Sequence, residues 1–262
     1  MKAITSNNTH NNFFIDSSPN SFSITKNGLV TQGKFGPVLG SSSAFFNGSG
    51  GLSLPHTSQT QTSSDFTWET WFYPTDQTVG DIALMTKGWS SGNVGGPLIY
   101  LDANFVLRFY ANNINNNGSW NTFNGIMIAT VSRNQWQHVA ISRQGANFYI
   151  FFNGQLVNTY SRSGNIFYNT NTSPLCIGQG TNGLNSFIGY LSGTRVSNSA
   201  RYISNFTPLI SNTSDGNTVA LLNYTNSTLL DVTSNNNIEM LGNSEVNSLK
   251  KPFGESVIML DG

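Results

Sequence analysis

Histidine, cysteine and paired carboxylates carry most enzymatic chemistry, and in this chain they are sparse and scattered. His10, His56 and His138 stand far apart along the sequence, and Cys176 is the one cysteine. No zinc-ligand spacing, Ser-His-Asp order or Cys-His pairing emerges from them. Glycoside hydrolysis needs two carboxylates facing each other across the scissile bond. Asp65 and Glu69 come closest to such a pair, but Asp65 opens a strand pattern and Glu69 lies within it, where a structural, hydrogen-bonding role is expected. His138 reads as a packed strand residue and Cys176 as a small buried hydrophobe. A lone cysteine allows no intrachain disulfide and leaves the redox compartment open. No catalytic residue is assigned, so the chain reads as a non-enzyme.

Whatever positions these side chains is built from an unusual palette. Aromatic residues make up 12% of the 262 residues, with 18 Phe, 9 Tyr and 5 Trp, which is too much ring surface for a disordered chain. Charged residues are only 9%, so Asn, Ser, Thr and Gly must supply the polar surface. Thr suits a pleated strand, whereas Asn and Gly accept the positive φ of tight turns; long helices are disfavoured. Lys plus Arg (12) balance Asp plus Glu (12), and no basic run interleaves with aromatics, so nucleic acid is not an expected partner. The first residues have no apolar signal-peptide core, and no stretch approaches the ~20 apolar residues of a membrane span, so neither export by a signal peptide nor a membrane partner is expected.

Short apolar runs recur between turn residues at 43–46, 66–73, 82–86, 98–101, 105–110, 126–131, 136–143, 148–152, 155–160, 175–177 and 188–196. None holds a helical period over eleven residues. Asn153-Gly154 between two such runs predicts a hairpin with a type I′ turn. Alternation puts Phe148, Ile150 and Phe152 on one face and Tyr149 and Phe151 on the other, which predicts a central strand. Trp71, Val139, Ile141, Ile150 and Phe152 are expected in the core.

These residues resemble the laminin-G-like, concanavalin A-like jelly rolls. Residues 65–74 (DFTWETWFYP) look like the family's opening strand, and residues 134–143 (NQWQHVAISR) like its central strand. Phe151-Phe152-Asn153-Gly154, Cys176-Ile177-Gly178 and Gly189-Tyr190-Leu191 with Arg195-Val196-Ser197 follow in the family's order. Asp16-Ser17-Ser18-Pro19-Asn20, Gly33-Lys34-Phe35-Gly36 and Phe46-Asn47-Gly48 stand where the family has its leading motifs. A second, partial copy appears at Asp231 to Asn235, Lys250 to Gly254 and Leu260-Asp261-Gly262. The resemblance implies an all-β, two-sheet antiparallel jelly-roll sandwich over 42–208, with extended segments at 1–41 and 209–262. The C-terminal segment holds strand candidates at 219–224 and 257–260. Either the copies are a decayed tandem array, or 219–224 supplies a leading strand that the first copy lacks; 257–260 could reach a neighbouring chain.

The resemblance also bears on function. Hydrolases of this class carry Glu-x-Asp-x-Glu on one strand, and no such run exists here. Glycan binding is the family's usual activity, through aromatics with Asn and Asp at loop tips; Trp89, Tyr100, Trp120 and Phe123 are the candidate glycan contacts. Calcium is the wider family's commonest metal, but Ser192-Gly193 stands where an acidic residue is usual, so no cofactor is expected and Asp81 and Asp102 are the carboxylates left for calcium. Residues 195–208 are similar to the tail of such modules in bacteriophage virion proteins. This implies a structural or adhesion component on a virion surface, such as a capsid-decorating or tail-fibre protein, made in the host cytoplasm. Its expected partners are other virion proteins, further copies of itself and host-surface glycans, and a lectin-like carbohydrate-binding module is the alternative.

Overall fold

Period-two alternation with many turn residues yields strands alone: no helix occurs among the described residues of the computed structural model. These are residues 13–75, 80–88, 95–113, 120–166 and 173–225, with two short strands at 245–247 and 257–259. In chain order the strands are β1 (Thr25–Lys26), β2 (Val30–Gly33), β3 (Ser43–Asn47), β4 (Leu52–Leu54), β5 (Phe66–Pro74) and β6 (Ile82–Lys87). There follow β7 (Leu98–Leu101), β8 (Val106–Ala111), β9 (Phe123–Thr130), β10 (Gln137–Gln144), β11 (Asn147–Phe152) and β12 (Gln155–Ser161). The last are β13 (Leu175–Ile177), β14 (Ile188–Ser197), β15 (Thr218–Leu222), β16 (Glu245–Asn247) and β17 (Val257–Met259).

Two antiparallel sheets form the sandwich. One runs β1-β4-β13-β6-β7-β8-β9; the other runs β12-β11-β10-β5-β14-β3-β2, with β15 also on β14. Their inward residues, among them Trp68, Phe72, Ile99, Phe109, Val139, Ile141, Phe148 and Ile150, are buried in one continuous core. Val139, Ile141 and Ile150 thus sit as expected, whereas Trp71 and Phe152 are only half-buried. Trp71 faces outward and its indole Nε1 donates to Leu209 O at 2.9 Å; Phe152 ends its strand at the turn. β11 lies between β10 and β12, one strand in from the sheet edge.

At the hairpin, Asn153 (φ 50°) and Gly154 (φ 75°) both take positive φ, as a type I′ turn requires. Gly154 is also obligatory for space, because a Cβ there would collide with Phe206 O. β9 begins three residues before the expected 126: Gly125 (φ 69°) interrupts the side-chain alternation, and the ladder to β8 is irregular there. β1, β2 and β4 were not expected at all, being too short for alternation to show.

Paired structure reaches well outside 42–208. The ten-residue β14 pairs with β3 through Ile188–Leu191 and with β15 through Thr194–Ser197, so β3 and β15 lie end to end along one side of it. Without β15, half of β14 would be an open edge. The Asp16 motif fastens β15 in turn. Asp16 Oδ1 accepts from the Leu221 amide at 2.9 Å, Ser17 N donates to Leu221 O at 2.8 Å, and Asn20 Nδ2 donates to Val219 O at 2.9 Å. Within the chain, Val257–Met259 pairs with Glu245–Asn247 and not with either sheet of the sandwich.

Candidate functional site

Leu98 and Tyr100 of β7 point away from the core, opposite in sense to Ile99 and Leu101, and with Ala83 they form a second apolar cluster on the outside of the seven-stranded sheet. Cross-strand register brings β8 into it, with Leu98 opposite Tyr110 and Tyr100 opposite Arg108. The rings step diagonally across the sheet. Tyr100 and Tyr110 meet edge to face at 5.6 Å, and Tyr110 meets Trp120 at 5.1 Å. Tyr100 is 6% exposed and backs the row, whereas Tyr110 and Trp120 are half-exposed and offer surface to solvent. Gly125 makes room, because any Cβ there would strike the Tyr110 ring.

Polar groups stand at the foot of this ladder. Arg108 Nε donates to Asp102 Oδ2 at 2.7 Å, and its Nη1 donates to Gly125 O at 3.1 Å. Asp102 Oδ1 takes the amides of Asn104 (2.9 Å) and Val106 (3.0 Å). Burial works to raise the Asp102 carboxyl, but the Arg108 bond and the two amides outweigh it and hold it below the usual carboxylate range. The Tyr100 hydroxyl is held well above its ordinary value, first by burial and then by its hydrogen bond to the exposed Asp81 carboxylate. Tyr110 is raised chiefly by burial, against the opposing pull of Arg108. The face therefore combines partly exposed rings with oriented donors and acceptors.

Of the residues singled out from sequence, Tyr100 and Trp120 come together here. Phe123 does not join them: it is 1% exposed and packed in the core against Phe109, Phe148 and Tyr160, so it presents no face to a ligand. Trp89 lies outside the described residues. Asp102 spends its oxygens on Arg108 and two amides, and no group of three or more His, Cys, Asp or Glu side chains close enough to share a metal occurs among the described residues. Tyr110 and Arg108 were missed, although alternation within 106–111 marks both as outward.

Glu69 is fully buried on the outside of the other sheet, beneath residues 198–213. Its Oε1 lies 2.6 Å from Arg195 Nη2, its Oε2 accepts from Tyr202 Oη at 3.0 Å, and His138 Nε2 stands 3.5 Å away. Burial alone would raise this carboxyl, but His138 and Arg195 reverse the sign and leave it below its ordinary value. Asp65, just before β5 begins, accepts the Gly145 amide at 2.7 Å. Neither carboxylate faces the other across a cleft.

A laminin G family model, described as the concanavalin A-like lectin/glucanases superfamily, matches residues 46–202. No curated protein matches the chain. Among solved structures, domain 4 of the extracellular GH43 arabinanase AbnA from Geobacillus stearothermophilus, in complex with arabinotriose, is 16% identical with a TM-score of 0.50, over 69% of this chain and 83% of that one. The binding domain of botulinum neurotoxin DC, in complex with SialylT, is 13% identical with a TM-score of 0.50, over 74% of this chain and 47% of that one. A Bacteroides ovatus protein is 16% identical with a TM-score of 0.41, and the match spans 69% of this chain and 45% of that one. These likenesses are of fold. Matched by the family model over more than half its length, and folded as two antiparallel sheets, the chain belongs to the concanavalin A-like lectin/glucanases superfamily.

Proposed function

We propose that this chain is a non-catalytic carbohydrate-binding module whose ligand lies on the outer face of the seven-stranded sheet. The observation that carries this reading is the Tyr100–Tyr110–Trp120 ladder set beside the Asp102–Arg108 pair. Sugar rings offer apolar C–H faces that rest on aromatic rings, and hydroxyls that exchange hydrogen bonds with carboxylate and guanidinium groups. The sugar-bound arabinanase and neurotoxin domains of the same fold support it. Calcium plays no part in the proposed site.

The virion-surface placement is carried by the likeness of residues 195–208, with the low charge and the partial repeat in keeping with it. Here that run serves the fold itself, since Tyr202 and Phe206 stack at 3.5 Å and lie against Phe151, and Arg195 meets Glu69. No outside partner is needed to explain it, so sugar binding is the reading the geometry favours.

A glycan array followed by calorimetry tests this proposal. At least one oligosaccharide should bind, and Trp120→Ala and Tyr110→Ala should each weaken it about tenfold, or ~1.4 kcal/mol, with an unchanged circular dichroism spectrum. Absence of binding across the array, or variants that bind like wild type, would overturn it.

A further inference from the structure

Charge decides which sugars such a face accepts. Arg108 is its cation, and that charge is already committed to Asp102 at 2.7 Å and to Gly125 O at 3.1 Å. Asp81 adds an exposed carboxylate at the Tyr100 hydroxyl. Two carboxylates thus stand against one guanidinium. The sequences that join β6 to β7 (88–97) and β8 to β9 (112–122) contain no Asp, Glu, Lys or Arg. Arg162, at the β9 edge, lies over Phe123 and Tyr160, rings that turn toward the core, and its Nε points at Thr122 O.

A carboxylate on the ligand would become a third anion beside Asp81 and Asp102, partly desolvated among rings and met only by a guanidinium that is already paired. Hydroxyls suffer no such penalty. They can donate to Asp81 and accept from Arg108 without adding charge. Resting on the sugar-binding proposal above, we infer that the site takes neutral saccharides and discriminates against acidic ones, sialylated and uronic sugars included.

Matched probes test this. Purified full chain is titrated at constant ionic strength with neutral oligosaccharides (arabinotriose, lactose, cellotriose) and with acidic counterparts (sialyllactose, trigalacturonate). A neutral probe should bind at least about tenfold more tightly than any acidic one, and Asp81→Asn should narrow that ratio by relieving the repulsion. An acidic probe that binds as tightly as the neutral ones overturns this inference and leaves sugar binding intact. If no probe binds at all, the sugar-binding proposal falls and takes the inference with it.

Discussion

Glu69 lies in the middle of a strand that reads as apolar, yet its carboxylate is the hub of a buried cluster with Arg195, Tyr202 and His138. A buried ion pair adds little net stability, but removing one partner strands the other. Glu69→Gln should therefore lower unfolding stability by about 3–5 kcal/mol in a urea titration. The pH dependence has a definite sign. Because the folded carboxyl is held below its unfolded value, its stabilisation is complete above about pH 4.3 and is lost as pH falls through the lower folded value. Wild type should lose more stability on acidification than Glu69→Gln, whose remaining loss comes from other depressed carboxyls such as Asp102. Cys176 offers a second test. It is fully buried, and burial pushes its thiol up to about 12, so it should resist a thiol reagent at pH 8 in the native state and react once denatured. The buried fate of Cys176 was legible in its place between Leu175 and Ile177, and the structural one of Glu69 in its place within an alternating run. Which ring faces solvent was less so: Phe123 and Trp120 are near neighbours in sequence, and only the register of β9 against β8 sends one into the core and leaves the other on the ladder.

At the scale of elements, the hairpin, the long strands and their faces were written in the sequence, because type I′ turn chemistry and period-two alternation are local. Two features were not. The segment 198–213 has no alternation, yet it lies across the outer face of the eight-stranded sheet and is tied down by Trp71 Nε1 to Leu209 O, Leu156 N to Asn205 Oδ1 and Phe206 N to Gly154 O. That cover explains how Phe151, on the outward side of β11, can be fully buried. The other is the Asp16 knot. Its four acceptances, from Leu221 N, Ser18 N, Ser18 Oγ and Phe22 N, saturate a carboxylate that is 5% exposed. Asp16→Ala would leave buried amides unpaired, at about 1–3 kcal/mol each. A fall in melting temperature of several degrees is the expected outcome; an unchanged melt would mean that water satisfies those amides.

For the whole molecule, the paired strands of the sandwich extend past residue 208 through β15. Val219, Leu221, Leu222 and Tyr224 are each under 5% exposed, and burying such a side chain contributes ~1.5–3 kcal/mol. A chain ending at Ser211 should therefore melt far below the full protein or fail to fold. One ending at Thr225 should melt nearly as the full protein does, since among the described residues β16 and β17 pair with each other and with neither sheet. Equal melting of the Ser211 truncation would show that the sandwich does without its closing strand. The repeated motifs hinted at this arrangement but could not decide it, because the two alternatives differ only in which distant segment lies beside Asp16.

The bond between Asp16 and Leu221 joins residues 205 positions apart, and this sets a timetable for synthesis. Closing so long a loop comes late in any folding route, because the chain entropy it costs must be met by contacts already made. As the protein leaves the ribosome at roughly 5–20 residues per second, the Asp16 segment waits on the order of 10–40 s for its partner. Through that interval the second half of β14 is either unmade or bare, and the nascent chain is most open to wrong pairing until β15 has emerged.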